Sequence, residues 1–201
     1  NLNMSAHFGL DIGSYSIKAV QVEKKGKTYK LGNLGEIRTP VNIASRSEVD
    51  KRALAAAIEK LIVEAKINTK ETVLSLSESA VYSRVIELPY FSETELASAI
   101  NFQAEQYIPV PLSEVKLEYI VLSTFSKGLK EKKMEVLLVA AKKHAIDKIA
   151  LLTELAGLTP IALETEVLSI VRLVNFSFKE SCLILDLGNT STNIVILENQ
   201  N

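Results

Sequence analysis

The amino-acid sequence predicts an α/β protein with one insertion. Three observations carry that expectation. Apolar residues at strand period alternate with apolar residues at helix period, the opening strand–turn–strand recurs at the end, and a middle stretch breaks the order of elements. Residues 8–12 and 16–22 read as two strands around Gly13, because Ile17, Ala19 or Val20, and Val22 recur near period two. A third strand follows over about Lys27 to Arg38. Ser47, with Asp50 three residues on, then opens a helix whose Leu54, Ile58, Leu61, Ile62 and Ala65 share one face. Residues 72–77 (TVLSLS) read as a buried strand.

The grammar then changes. VYSRVIEL, a helix, EVKLEYIVLSTF and MEVLLVAA follow as a second group. Its helix is bounded by a capping box of Ser92 and Glu95 and by Pro109 and Pro111, which stop it after Ile108. The polar KGLKEKK between the last two strands reads as a solvated hairpin loop. A helix over His144 to Ala156 closes on Gly157 as C-cap, and TPIALE reads as a short strand. Residues 165–176 are helical, and SCLILDLG and STNIVILE are two final strands.

Bulk composition bounds the function. The 201 residues are 47% hydrophobic, which suffices for one substantial core or two small ones. The 23 basic and 24 acidic side chains cancel to −1, and no face concentrates Lys and Arg with interleaved aromatics, so a nucleic-acid groove is not expected. Cys182 is the single cysteine and sits in the apolar run CLIL, which excludes a disulfide within the chain and reads as a buried small hydrophobe. His7 and His144 have no second ligand at metal spacing, so zinc is not indicated. No apolar run approaches the roughly 20 residues that cross a bilayer, and no signal-peptide pattern opens the chain. A cytosolic protein is expected, with Met4, after Asn1 to Asn3, as its natural start.

The repeat carries the chemistry. Laying FGLDIGSYSIKAVQV over LILDLGNTSTNIVIL aligns Asp11 with Asp186, Gly13 with Gly188, Ser16 with Ser191 and Val20 with Val195. Each copy ends an apolar strand in aspartate, turns at glycine, carries small polar residues at its tip and returns as an apolar strand. Alone, such a turn is what an aspartate bonding its own backbone would produce. Two copies suit a polyphosphate clamped between turns: backbone N–H groups and hydroxyls cradle phosphate oxygens, and an aspartate beneath the tip holds the hydration shell of Mg²⁺. Lys18 would neutralise charge. The stripe Leu96, Ile100, Tyr107 reads as core of the middle block, not as a cofactor site.

At these residues the chain resembles the actin, Hsp70 and sugar-kinase superfamily. DIGSYSIK is similar to its first phosphate motif, LETEVLSIV to its first connecting motif and DLGNTSTN to its second phosphate motif. Within it the closer resemblance is to the PilM family of type IV pilus assembly, on the FtsA-like branch, and it runs from Ala6 to Leu197. LPYFSETELASAINFQAEQYIPVPLSEVKLEYIVL is the most specific phrase. The resemblance implies an actin-like ATPase (ribonuclease H-like) fold with an FtsA-type 1C subdomain, truncated after the start of the second lobe. It implies subdomain 1A over 6–76, the 1C insert over 77–159, a return to 1A over 160–180 and the start of 2A over 181–201.

The resemblance also implies roles. Asp11, Gly13, Ser14, Tyr15 and Lys18 would meet the phosphates of ATP on one side, and Asp186, Gly188, Asn189, Thr190 and Ser191 on the other, with Asp11 and Asp186 facing Mg²⁺. Glu164, with Glu166 beside it, lies where relatives position the attacking water; acids at a strand end before a helix are also what the helix dipole favours. Weak ATPase activity at most is expected of the full-length protein and none of this stretch alone. The implied function is a cytoplasmic nucleotide-binding scaffold that takes the N-terminal peptide of the inner-membrane protein PilN and links it to the assembly motor ATPases. It reaches the membrane only through partners, and self-association is possible. Alternatives are an FtsA-like filament-forming division protein and a small-molecule kinase for sugars or acetate. The plain loop, helix and strand over Arg38 to Ser77 speak against acceptor-binding clusters of the kinase kind.

Overall fold

The computed structural model describes residues 7–26, 28–127, 131–175 and 180–197. Lys27, the expected start of the third strand, and Phe176, the expected end of the last helix, lie outside the described residues, as do Gly128 to Lys130 of the expected loop between the two long middle strands. The chain divides into two compact units, one formed by residues up to Leu76 and from Lys148 onward, the other by Ser77–Asp147.

In the first unit, β1 (His7–Ile12), β2 (Ser16–Lys25), β3 (Thr28–Arg38), β4 (Glu71–Leu76) and β8 (Thr159–Thr165) form a sheet ordered β3-β2-β1-β4-β8. The β1–β2 and β2–β3 pairs are antiparallel, while β1–β4 and β4–β8 are parallel. Parallel neighbours need a crossover, and α1 (Glu48–Glu64) supplies the one between β3 and β4. Its Leu54, Ile58 and Leu61 are almost wholly buried against Phe8, Leu10, Ile17 and Leu74, as the helical spacing required. Each such side chain contributes about 1.5–3 kcal/mol of burial. Ser47 precedes α1 as expected but makes no side-chain cap bond; Glu48 and Asp50 instead favour the helix start by their charge.

The second unit pairs β5 (Val81–Pro89), β6 (Val115–Lys127) and β7 (Glu131–Lys142) in the antiparallel order β5-β7-β6. One face packs on α2 (Glu93–Ala104), where Leu96 and Ile100 meet Ile86, Leu88, Val136 and Leu138, with Tyr107 against them. The capping box forms: the Ser92 N–H donates to Glu95 Oε2 at 2.8 Å and the hydroxyl to the same oxygen at 2.6 Å. These bonds hold the Glu95 carboxyl below its usual range. The helix proper ends at Ala104, earlier than the expected Ile108, and a last irregular turn carries the chain to the prolines. Glu131 to Lys133, expected in a loop, extend β7, because Lys133 reaches Glu87 across the strands.

The second unit ends at Asp147, short of the expected boundary at 159. The cause is α3 (Lys143–Leu155): its Ile149, Leu152 and Leu155, with Ala156, pack in the core of the first unit. Gly157, at φ +66°, closes α3 with Gly157 N–H to Glu154 O and Leu158 N–H to Thr153 O, the paired bonds of a Schellman motif. After β8 comes α4 (Glu166–Asn175), then the two-stranded antiparallel ribbon β9 (Cys182–Leu187) and β10 (Thr192–Leu197), which clusters with the first unit. Cys182 is half-buried.

Candidate functional site

The two copies of the repeat fold alike down to their closing bond. In the first turn the Gly13 N–H donates to Ser16 O at 3.1 Å; in the second the Gly188 N–H donates to Ser191 O at 2.9 Å. A Cβ at Gly13 would stand 2.8 Å from Ser16 O, and one at Gly188 would stand 2.9 Å from Ser191 O. Glycine is therefore required at both places by the close approach of a carbonyl, independent of any ligand. Asp11 lies opposite Lys18 in the β1–β2 register, with Lys18 Nζ 3.5 Å from its Oδ2. Asp186 lies opposite Asn193 in the ribbon, and Asn193 Nδ2 donates to its Oδ2 at 3.0 Å. Asn193 thus holds the place of Lys18, the residue over which the repeat alignment lays it.

The tips meet. Ser14 Oγ and Thr190 Oγ1 are 3.4 Å apart, although 176 residues separate them. The structure therefore brings together Asp11, Gly13, Ser14, Tyr15 and Lys18 on one turn and Asp186, Gly188, Asn189, Thr190 and Ser191 on the other. Two residues outside the expected set support the first turn. Thr39 donates its hydroxyl to Gly13 O at 2.7 Å and its N–H to Tyr15 O at 2.9 Å. Arg38 places its guanidinium 5.0 Å from the centre of the Tyr15 ring, a cation–π contact. Nothing in the sequence marks Thr39, which belongs to the chain leaving β3 and not to either motif.

Beside the first turn the sheet carries a row of charge. Lys18 lies between Asp11 on β1 and Glu36 on β3. On the other side β1 and β4 pair through Leu10 and Leu74, so Asp11 and Ser75 come next on their strands, and Ser75 lies opposite Glu164 on β8. These five residues, with Ser169 of α4, line a cavity of about 550 Å³ whose floor is apolar at Val20, Leu34 and Val73. Glu164 accepts a close hydrogen bond from Arg172 Nη2. Glu166, the other expected acid, is the first residue of α4 and is not among the cavity-lining residues. A hollow of similar size in the second unit, about 580 Å³ along Ile108 to Ser113, carries none of the matched turns.

The donor set suits an anion bearing several oxygens: paired hydroxyls, tight turns with backbone N–H groups and a lysine beside them. Among the described residues no three His, Cys, Asp or Glu side chains converge as metal ligands. A cation at Asp11 and Asp186 would therefore take most of its ligands from water and phosphate, the habit of Mg²⁺. No helix among the described residues is long and apolar enough to cross a membrane.

The profile of a family described as type IV pilus assembly protein PilM matches residues 9–201. The chain is similar to a solved structure described as a PilM-PilN type IV pilus biogenesis complex, with TM-score 0.80 and 29% identity, over 97% of this chain and 58% of that one. The chain thus spans less than two thirds of the length of that relative. It is also similar to the cytoplasmic domain of EpsL, an inner-membrane component of the type II secretion system of Vibrio cholerae, with TM-score 0.56 and 13% identity, over 94% of this chain and 71% of that one. That likeness concerns the fold alone. The expected α/β fold of the actin-like class stands.

Proposed function

The chain belongs to the PilM family of type IV pilus assembly proteins, and from that premise we propose that it is an actin-like, nucleotide-binding cytoplasmic scaffold of pilus biogenesis. The observation that carries the reading is the meeting of two matched turns at Ser14 and Thr190. A ligand with a chain of phosphates satisfies donors on both turns at once, so its binding favours whichever arrangement keeps the turns together. Backbone N–H groups and hydroxyls of Ser14, Tyr15, Asn189, Thr190 and Ser191 hold the phosphates of ATP, Lys18 offsets their charge, and Asp11 and Asp186 hold the hydrated Mg²⁺. When bound, the nucleotide supplies the negative charge that bridges the turns, and it acts as a conformational ligand.

The partner is the N-terminal cytoplasmic peptide of a PilN protein, in keeping with the PilM-PilN complex to which the chain is similar. Through it the scaffold meets the inner membrane and the assembly motor ATPases. The test is calorimetric titration of Mg·ATP and of that peptide into the full-length protein and into residues 1–201. Saturable binding of both by the full-length protein supports the reading. Rapid phosphorylation of a sugar or of acetate would replace it with a kinase, and failure to bind either ligand would remove it.

A further inference from the structure

Resting on the reading that a nucleotide sits beside Asp11, we propose that Arg172 is a positioning residue that engages the Glu164 carboxylate and thereby keeps nucleotide hydrolysis slow. Glu164 stands in the wall of the cavity that Asp11 and Lys18 also line, at the level of the charged row that crosses the sheet. It is placed there by the register of β8 on β4. Arg172 comes from α4, one helical turn beyond Ser169, which lines the same cavity.

The junction between the two residues is firm. Thr165 is buried, and its Oγ1 accepts the Leu168 N–H at 3.1 Å, while Ser169 Oγ donates to Glu166 O at 2.7 Å. With β8 passing into α4 at Thr165 and Glu166, Arg172 is carried back over the strand end and donates to Glu164.

A carboxylate in the wall of a cavity that shares Asp11 and Lys18 with the first turn can take the proton of a water. In hydrolysis the water oxygen forms a bond to the γ-phosphorus, and the bond from that phosphorus to the β-phosphate oxygen breaks with the electron pair leaving on ADP. The water proton passes to the base and from there to solvent. A guanidinium bonded to that base occupies the oxygen that would meet the water, so the base is free to act only when that bond opens. Arg172 is the half-exposed member, with a side chain 59% accessible against 23% for Glu164, so the restraint is modest and reversible. Release of Glu164 is expected to raise turnover by about two- to fivefold.

The experiment uses the full-length protein and the variants Arg172→Gln, Arg172→Lys, Glu164→Gln and the double variant Glu164→Gln/Arg172→Gln. In the absence of nucleotide, urea unfolding should show the two Gln substitutions to be non-additive, as for a real pair. With Mg·ATP, Arg172→Gln should raise the single-turnover hydrolysis rate with little change in nucleotide Kd. Arg172→Lys should stay near wild type, and the double variant should lose the gain. Additive unfolding effects, an unchanged or lower rate in Arg172→Gln, or a gain that survives in the double variant would each overturn the role of Arg172. If the wild-type protein binds no Mg·ATP, the nucleotide reading itself fails and this role fails with it. Binding with no rate change removes Arg172 alone.

Discussion

Replacing Gly13 by alanine should damage the first turn in a way that can be worked out from its atoms. The added methyl would stand 2.8 Å from Ser16 O, against the 3.4 Å at which ordinary contact begins, so about 0.6 Å must be found (3.4 − 2.8). The opposed group is backbone on the paired strand and cannot rotate away. Moving it by that amount stretches the 3.1 Å bond from Gly13 N–H to Ser16 O beyond useful length. The loss of that bond costs about 1 kcal/mol and the overpacking about 1–2 kcal/mol more, together about 2–3 kcal/mol. Gly188→Ala meets the same contact at 2.9 Å, but on a two-stranded ribbon that can part locally, so its effect on global unfolding should be about 1 kcal/mol or less. Urea unfolding followed by circular dichroism reads the first quantity, and Mg·ATP titration of the full-length protein should show weaker binding for both variants. A Gly13→Ala protein within about 0.5 kcal/mol of wild type would mean that the turn relaxes freely, and the steric account of the repeat would be wrong.

Other substitutions probe neighbouring features. Thr39→Val removes the hydroxyl that bonds Gly13 O; it should cost about 1 kcal/mol in urea unfolding and weaken Mg·ATP binding through the loosened turn. Lys66 is the one non-glycine residue with positive φ among the described residues, at 57°, and closes α1 through Lys66 N–H to Val63 O and Ile67 N–H to Ile62 O; Lys66→Gly should therefore raise stability by about 0.5–1 kcal/mol, seen as a higher melting temperature. Lys148 donates to Ile43 O and Ser45 O, and burial, followed by the charges of Lys51 and Arg46, holds its pKa below the ordinary lysine value. The charged form is thus penalised in the folded state, so the penalty is complete at neutral pH. It lifts as pH rises through the folded pKa toward 10.5. The stability difference between wild type and Lys148→Met should accordingly shift in favour of wild type over that alkaline range, and a difference constant with pH would show that burial does not act on Lys148.

The parts of this architecture that were legible in the sequence are those fixed by local rules. The capping box at Ser92 and Glu95, the closing glycine at 157 and the apolar face of Leu54, Ile58 and Leu61 each depend on residues within a few positions. The matched turns were legible because they occur twice. The helical period of Ile149, Leu152 and Leu155 does not say which core receives them, and they pack in the first unit, so the second ends at Asp147 and not at the expected 159. Glu131 and Lys132 are exposed, as a charged run predicts, yet with Lys133 they are strand, because β6 pairs with all three and Lys133 also meets Glu87; a run of like polarity carries no period that would mark it as strand. Thr39 and Arg172 act through contacts across 26 and 8 residues, made by side chains of types common at any surface. Such roles depend on where the backbone goes, and composition does not carry that.

The bonds that shape the first turn all end on main-chain atoms: Gly13 to Ser16, and Thr39 to Gly13 and to Tyr15. The second turn is closed in the same manner by Gly188 and Ser191. The side chains at 14, 189 and 190 take no part in these closing bonds, and that of Tyr15 adds only its ring contact with Arg38. A turn closed in this way can exchange its tip residues, and with them its appetite for a ligand, while the path of the chain stays as it is.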